Sequence, residues 1–164
     1  MTGERLPGTP LDLRELLATL HRHEVQYTVI GGVAVQVHGH RRTTKDLDVI
    51  PDPERPNLKR LANALKELGA HPRDLPGGAP TAEHLATAPV VAPLSTAHGE
   101  LHILRDVPGA PPYAQLRNRA LMIEFGGIAL SIAGLDDLIA MKRASGRPGD
   151  ARDVAALTAL APER

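Results

Sequence analysis

Apolar residues recur along this chain with two different periods, one typical of helices and one typical of strands. Helical spacing marks the stretches 12–23 and 57–69, where Asp12 and Asn57 are the expected N-caps. Short runs of β-branched and aromatic residues predict strands instead. These runs cover 25–30, 45–50, 90–95, 100–104, 121–125 and 128–132.

The same pattern predicts five further helices, and the order of the elements indicates an α+β fold. The stretch 71–93 is rich in Pro, Gly and Ala and is typical of a loop, with one short helix inside it. No internal repeat or linker divides the chain, so we expect a single domain over 1–164. We expect a mixed β-sheet flanked by helices, with two helices at the C-terminus. The further helices are predicted at 33–38, 81–87, 113–119, 135–145 and 151–160.

Composition excludes several classes of protein. The chain has 164 residues, enough to bury a real core, and no run approaches the roughly 20 apolar residues of a membrane span. It has no cysteine, and its first ten residues do not resemble a signal peptide. We therefore expect a cytoplasmic protein with no membrane partner. The net charge is zero and aromatic content is 2%, so a base-stacking platform is not expected and nucleic acid would have to bind at local basic patches.

The candidate chemistry lies in two neighbouring motifs. Asp46 and Asp48 are two residues apart in a predicted strand, so both carboxylates leave the same face while Leu47 enters the core. Such a pair suits Mg²⁺, which prefers oxygen ligands and is often held by one or two carboxylates together with substrate phosphates. Upstream, Gly31-Gly32 separates a predicted strand from a short helix, where backbone N–H groups can approach a phosphate. Together the motifs point to a nucleotidyl transferase.

Three stretches carry a resemblance to a known family. The chain resembles the minimal nucleotidyltransferase domain of the polymerase-beta-like superfamily, and more closely its AbiEii/AbiGii (MenT-like) toxin group. The resemblance covers roughly 12–160 and implies a nucleotidyltransferase-like mixed β-sheet. The three stretches are Gly31-Gly32 with Asp46-Leu47-Asp48, then 99–104, and finally 135–142 followed by Gly146-Arg147-Pro148 and Asp150.

The resemblance implies metal-dependent transfer of a nucleoside monophosphate from an NTP to an acceptor. Asp46 and Asp48 would hold Mg²⁺ or Mn²⁺, and the Gly31-Gly32 turn would cradle the triphosphate. Lys142 would reach the phosphates from its helix, with Arg42 at the same entrance. Each is also an ordinary surface residue by type, so these nucleotide-binding roles are hypotheses.

The chain departs from the family at one catalytic position, where His102 stands in place of the usual third carboxylate. A neutral imidazole can act as ligand or base, since its unperturbed pKa is about 6.5. Glu100 lies two residues away and faces the same side of a regular strand, so it is the other candidate for this position.

Two interpretations of the function stay open. The first is an active enzyme that modifies an acceptor, most simply the tRNA 3′ end, as the toxin of a pair with a cognate antitoxin protein. A protein side chain is the alternative acceptor, as for a protein-modifying minimal nucleotidyltransferase antitoxin. The second is a degenerate domain that binds nucleotide or a partner without turnover.

Overall fold

A mixed β-sheet of seven strands forms the centre of the molecule, which confirms the predicted α+β fold. The computed structural model describes residues 9–74, 76–87 and 93–160, and the elements below are those of the described residues. The strands are β1 (Tyr27–Ile30), β2 (Asp46–Pro51), β3 (His71–Pro72), β4 (Leu94–Thr96), β5 (Gly99–Ile103), β6 (Leu121–Phe125) and β7 (Ile128–Ile132).

The strand order is β3-β4-β5-β2-β1-β7-β6, so β1 and β2 lie well inside the sheet. β1 pairs antiparallel with β2 and parallel with β7, and β2 pairs parallel with β5. All four residues of β1 are buried, as expected for a strand covered on both faces. β3 and β6 are the two edge strands of the sheet.

Seven helices flank this sheet within the described residues. Asp12 caps the first one, because its side chain accepts a hydrogen bond from the Glu15 backbone N–H at 3.2 Å, as the sequence predicts. No helix in the described ranges is long and apolar enough to span a membrane. The helices are α1 (Leu13–Arg22), α2 (Gly31–Val37), α3 (Arg55–Glu67), α4 (Ala82–Thr87), α5 (Tyr113–Asn118), α6 (Leu135–Ser145) and α7 (Asp150–Leu160).

The hydrophobic core lies on both sides of the central strands. Leucines of α1 and α3 pack against the sheet at the positions that their helical spacing predicts. Leu47 and Val49 of β2 are buried, so the carboxylates at the alternate positions, Asp46 and Asp48, lie on the opposite face of the strand. Burying each such apolar side chain contributes about 1.5–3 kcal/mol, which fixes β2 in one register.

Two predictions about local structure need correction, and a third falls partly outside the described residues. Asn57 is not the N-cap of α3, because this helix begins at Arg55 and Asn57 lies inside it. The loop predicted over 71–93 contains the two-residue strand β3, which pairs with β4. Residues 90–92 of the strand predicted at 90–95 lie outside the described residues, and the described strand runs from Leu94 to Thr96.

Asn57 instead ties α3 to the start of β1. Its Oδ1 accepts a hydrogen bond from the Gln26 backbone N–H at 2.7 Å. Its Nδ2 donates to the carbonyl oxygens of Gln26 at 2.9 Å and Asp52 at 2.8 Å. Asn57 is 1% exposed, so its side-chain amide depends on these protein groups for its hydrogen bonds.

We therefore expect Asn57→Ala to lower the free energy of unfolding by about 2–3 kcal/mol, because it removes three hydrogen bonds that join α3 to the residue before β1 and to the residue after β2. Urea unfolding followed by circular dichroism measures the change. Asn118→Ala is the control, since Asn118 is exposed, and its effect should stay within about 0.5 kcal/mol. Equal stability of the two variants would contradict the structural role of Asn57.

Candidate active site

Two parallel strands place four polar side chains on one face of the sheet. In the register of β2 and β5, Asp46 is opposite Glu100 and Asp48 is opposite His102. The residues between them are buried apolar side chains on both strands. The alternation of a strand therefore brings all four polar groups to the same side, as the sequence predicts for each pair separately.

Asp46, Asp48 and His102 form a compact group whose ligand atoms all lie within 4.8 Å of one another. His102 Nδ1 lies 2.9 Å from Asp48 Oδ1, and its Nε2 lies 4.0 Å from Asp46 Oδ2. Glu100 contacts His102 Nε2 at 2.7 Å and also pairs with Arg73 at 3.0 Å. His102 thus occupies the third position beside the two acids, and Glu100 supports it.

The charges in this group perturb one another. Burial and the neighbouring Asp48 carboxylate raise the pKa of Asp46 above its ordinary value. Burial alone lowers the pKa of His102, but Asp48 and Glu100 outweigh that effect and raise the pKa to about 9. In the metal-free protein His102 is therefore an imidazolium at neutral pH, rather than the neutral imidazole expected from an unperturbed pKa.

The donor set fits a divalent cation. Asp48 Oδ1 is buried and has the His102 ring beside it, 2.9 Å from Nδ1. Asp46 and Asp48 carry the hard oxygen ligands that Mg²⁺ and Mn²⁺ prefer, and a cation between them would relieve their repulsion. Imidazole is a softer ligand, so the two carboxylates would be the main donors.

Gly31, the first residue of α2, leaves room for Asp48. A Cβ atom at Gly31 would lie 2.0 Å from Asp48 Oδ2, and the backbone there has φ +70°, which disfavours other residues. A Cβ at Gly32 would lie 2.8 Å from Thr44 Oγ1. The two glycines therefore let α2 begin directly against the acidic group.

A cavity of about 420 Å³ joins the acids to a set of cationic side chains. Asp46, Asp48 and His102 line one side of it, and Gly32 borders it. The structure thus brings the sequence-predicted residues of both classes, metal-binding and nucleotide-binding, to one site, except that Gly31 lines a neighbouring cavity. The cationic residues that line the cavity are Arg42, Lys45, Lys142 and Arg147.

Lys142 is not a free surface lysine, because α7 supplies partners for it. Its Nζ lies 3.2 Å from Asp150 Oδ1 and 3.1 Å from Asp153 Oδ2, and its side chain is 10% exposed. Arg42 pairs with the same Asp153 oxygen as Lys142. Burial alone would raise the pKa of Asp150, but hydrogen bonds with Ser145 and Lys142 outweigh it and lower the pKa.

Sequence reasoning missed Asp153 and included Asp150 in the third family-like stretch without assigning it a contact with Lys142. The available signal was their spacing, since carboxylates three residues apart share one face of a helix. The helix that carries these carboxylates, α7, follows α6 after a single short loop, and α6 carries Lys142. Contact between the two helices could therefore be predicted from sequence. Arg73, which pairs with Glu100 from a distant loop, had no local signal.

A second, more apolar cavity of about 330 Å³ adjoins the first. It shares Asp48, Lys142 and Arg147 with the first cavity and also contains Gly31. Its other walls are mostly aliphatic side chains and proline. They include Ile30, Leu104, Val107, Pro108, Leu138 and Met141.

Comparison with known proteins gives one family and several similar folds. The model of a family described as "Nucleotidyltransferase of unknown function (DUF6036)" matches residues 9–161. No curated protein sequence matches the chain.

The similar structures are distant in sequence. The crystal structure of ANT(2″)-Ia in complex with adenylyl-2″-tobramycin is 14% identical, with 91% of this chain and 87% of that chain covered and a TM-score of 0.56. An antigenic nucleotidyltransferase-like protein from Paracoccidioides brasiliensis is 17% identical, with 95% and 81% covered and a TM-score of 0.59. A Thermotoga maritima protein described as a nucleotidyltransferase is 14% identical, with 91% of each chain covered and a TM-score of 0.55. These likenesses establish a shared fold.

The Gly31 contact generates a first prediction about the site. Gly31→Ala should lower the affinity for Mn²⁺ by about 10- to 100-fold, because the new methyl group displaces Asp48. Gly69→Ala is the matched control, since Gly69 has φ +63° and no neighbour within 4 Å of the added Cβ. The control should lose about 1–2 kcal/mol of stability through backbone strain and keep its Mn²⁺ affinity. Electron paramagnetic resonance of free Mn²⁺ measures binding, and equal affinities in the two variants would refute the contact.

The ion pairs of His102 generate a second prediction. NMR titration of the metal-free protein should give His102 a pKa of about 9, lowered in Asp48→Asn. Since this pKa is raised above its unfolded value of about 6.5, the resulting stabilisation is complete below pH 6.5 and is lost as the pH rises through about 9. An ordinary pKa for His102 in the parent protein would show that these ion pairs do not form.

Proposed function

This chain belongs to the DUF6036 family of nucleotidyltransferases, and from that premise we propose that it transfers a nucleoside monophosphate from an NTP to an acceptor hydroxyl, with pyrophosphate as the leaving group. One observation carries the proposal. The Asp46 and Asp48 carboxylates and four cationic side chains line one cavity, which matches the charges of a metal–triphosphate complex. A pair of carboxylates alone would suit many cations, but the cationic side chains in the same cavity favour an anionic ligand as well.

On this proposal, Asp46 and Asp48 hold Mg²⁺ or Mn²⁺, and His102 is the third catalytic residue. When bound, the metal neutralises charge on the phosphoryl oxygens and lowers the barrier to displacement. The protein's own contribution is mainly positioning and electrostatic stabilisation, as is general for phosphoryl transfer. The grouping of Asp46, Asp48 and His102 within 4.8 Å and the close approach of Gly31 support this assignment.

The triphosphate would lie between the acids and the cations of α6 and the loop before β2. Arg42, Lys142 and Arg147 face two carboxylates of α7, so one positive charge is in excess before Lys45 is counted. This excess attracts phosphate, while Asp150 and Asp153 hold Lys142 and Arg42 in place. Gly31 and Gly32 would let backbone N–H groups approach the phosphates.

The nucleoside would occupy the neighbouring apolar cavity. Flat, weakly polar base surfaces suit aliphatic walls such as Leu104, Leu138 and Met141. None of the residues that line this cavity is aromatic. We therefore expect modest selectivity among the four NTPs.

We propose the tRNA 3′ end as the acceptor, with the enzyme acting as the toxin of a toxin–antitoxin pair. Exposed Arg41, Lys45 and Arg143 provide basic groups near the site that suit a polyanionic acceptor. The family resemblance of the sequence motifs supports the same choice. A cognate antitoxin would then be the protein partner.

The test incubates purified protein with each radiolabelled NTP, Mg²⁺ or Mn²⁺, and total tRNA. We expect label at the tRNA 3′ end, and we expect Asp48→Asn to lower the rate about a hundredfold or more. Glu83→Gln is the control, because its ion pair with Arg55 is exposed on both sides and contributes little. Circular dichroism checks that both variants fold.

Other outcomes separate the alternatives. Label on a co-purified protein instead of tRNA would indicate a protein-modifying nucleotidyltransferase. NTP binding by calorimetry without transfer to any acceptor would favour the degenerate domain, in which His102 has replaced a required carboxylate. A normal transfer rate in Asp48→Asn would refute the assigned metal site.

A further inference from the structure

The outer edge of β6 is an unusual surface on this molecule. β6 is the last strand of the sheet, and its outward side pairs with no described strand. Leu121, Met122 and Phe125 are 42%, 47% and 36% exposed, and Leu160 is the other large exposed apolar residue among the described residues. The opposite edge strand, β3, has two residues, one of them Pro72. β6 has none of the proline or lysine protection that edge strands usually carry.

The register of the β6–β7 hairpin shows which backbone groups of β6 are free. The Ala133 N–H donates to the Val29 carbonyl on the β1 side, so the alternate residues of β7 face β6. Those residues are Ile132, Leu130 and Ile128, and their partners are Leu121, Ile123 and Phe125. The N–H and C=O groups of Met122 and Glu124 therefore point to the free edge.

We propose that β6 pairs antiparallel with β6 of a second copy of this chain, about a two-fold axis at Ile123. This register opposes Met122 to Glu124 of the other copy and lets the outward groups form about four backbone hydrogen bonds. It also opposes Leu121 to Phe125 and Ile123 to itself, which extends the apolar face of the hairpin across the axis. Centring the pair on Glu124 would place two carboxylates opposite each other, which disfavours that register.

Charge complementarity supports a second copy rather than an unrelated strand. Arg117 of α5 lies against Met122, with its Nη1 2.8 Å from Met122 Sδ. Because Met122 is opposite Glu124 of the other copy, each Arg117 guanidinium faces the other copy's Glu124 carboxylate. The two-fold axis forms this ion pair twice, as an isologous interface requires. The contact covers a short strand, so we expect a reversible dimer at the weak end of specific interfaces.

Sedimentation equilibrium of the full chain from low micromolar to near-millimolar concentration tests this interface. We expect a monomer–dimer equilibrium, with a dissociation constant raised about tenfold or more in Arg117→Glu and in Glu124→Arg. The double variant R117E/E124R should restore dimerisation, because it exchanges the two charges. Glu124→Pro should also abolish the dimer, because it removes an outward N–H without touching the bonds to β7. Leu160→Lys is the control and should leave the equilibrium unchanged.

The results separate the alternatives. A parent protein that stays monomeric over the whole range overturns the proposal. So does a dimer whose dissociation constant is unaffected by Glu124→Pro, which would place the interface on another surface. Loss of dimerisation in both single charge variants without recovery in R117E/E124R would likewise refute the proposed register.

Discussion

The parallel pairing of β2 with β5 is the constraint on which the site depends. Leu47 and Leu101 pack into the core from equivalent positions, so their burial fixes the register of the two strands. A slip of either strand by one residue would move its leucine to the polar side and send its polar side chains inward. Apolar burial beneath the site therefore sets the register that places Asp46 and Asp48 beside His102, and the ion pairs of His102 add to the stability of that arrangement.

A second constraint joins distant parts of the chain. Asp153 of α7 contacts both Arg42, from the loop before β2, and Lys142 of α6. Its side chain is 4% exposed, and such a buried ion cluster often adds little net stability because each charge loses its hydration. The ion cluster instead fixes the positions of Arg42 and Lys142, which are far apart in sequence and both line the cavity. The same arrangement makes Lys142 costly to remove, because Asp150 and Asp153 are buried and would each lose a cationic partner.

The features that sequence predicted are those set by short-range patterns. Asp12 caps α1 because the cap and its N–H partner are three residues apart. The predicted strands 121–125 and 128–132 form β6 and β7, and the two glycines between them, both with positive φ, close the hairpin. The i and i+2 spacing of Asp46 and Asp48 was sufficient to place them on one face. Asn57 misled the prediction because its local chemistry suits a cap, while its actual partners lie about thirty residues away, on Gln26. Pairing of Arg73 with Glu100 and the order of the strands likewise depend on tertiary contacts.

His102 changes the balance of charge at the site. Burial and the Asp48 carboxylate already raise the pKa of Asp46. A third carboxylate at this position would add to the electrostatic repulsion. The imidazolium instead pairs with Asp48 and Glu100, and so acts as an internal cation in the metal-free protein. Removing its proton at pH 7 costs roughly 3 kcal/mol, and a metal that needs the same carboxylate must overcome this cost. When a metal binds together with a triphosphate, the phosphate oxygens also interact with the cationic side chains of the cavity, and this interaction offsets the cost. A free ion has no such interaction. On the proposed function, histidine at this position would therefore favour binding of metal and nucleotide together over binding of metal alone.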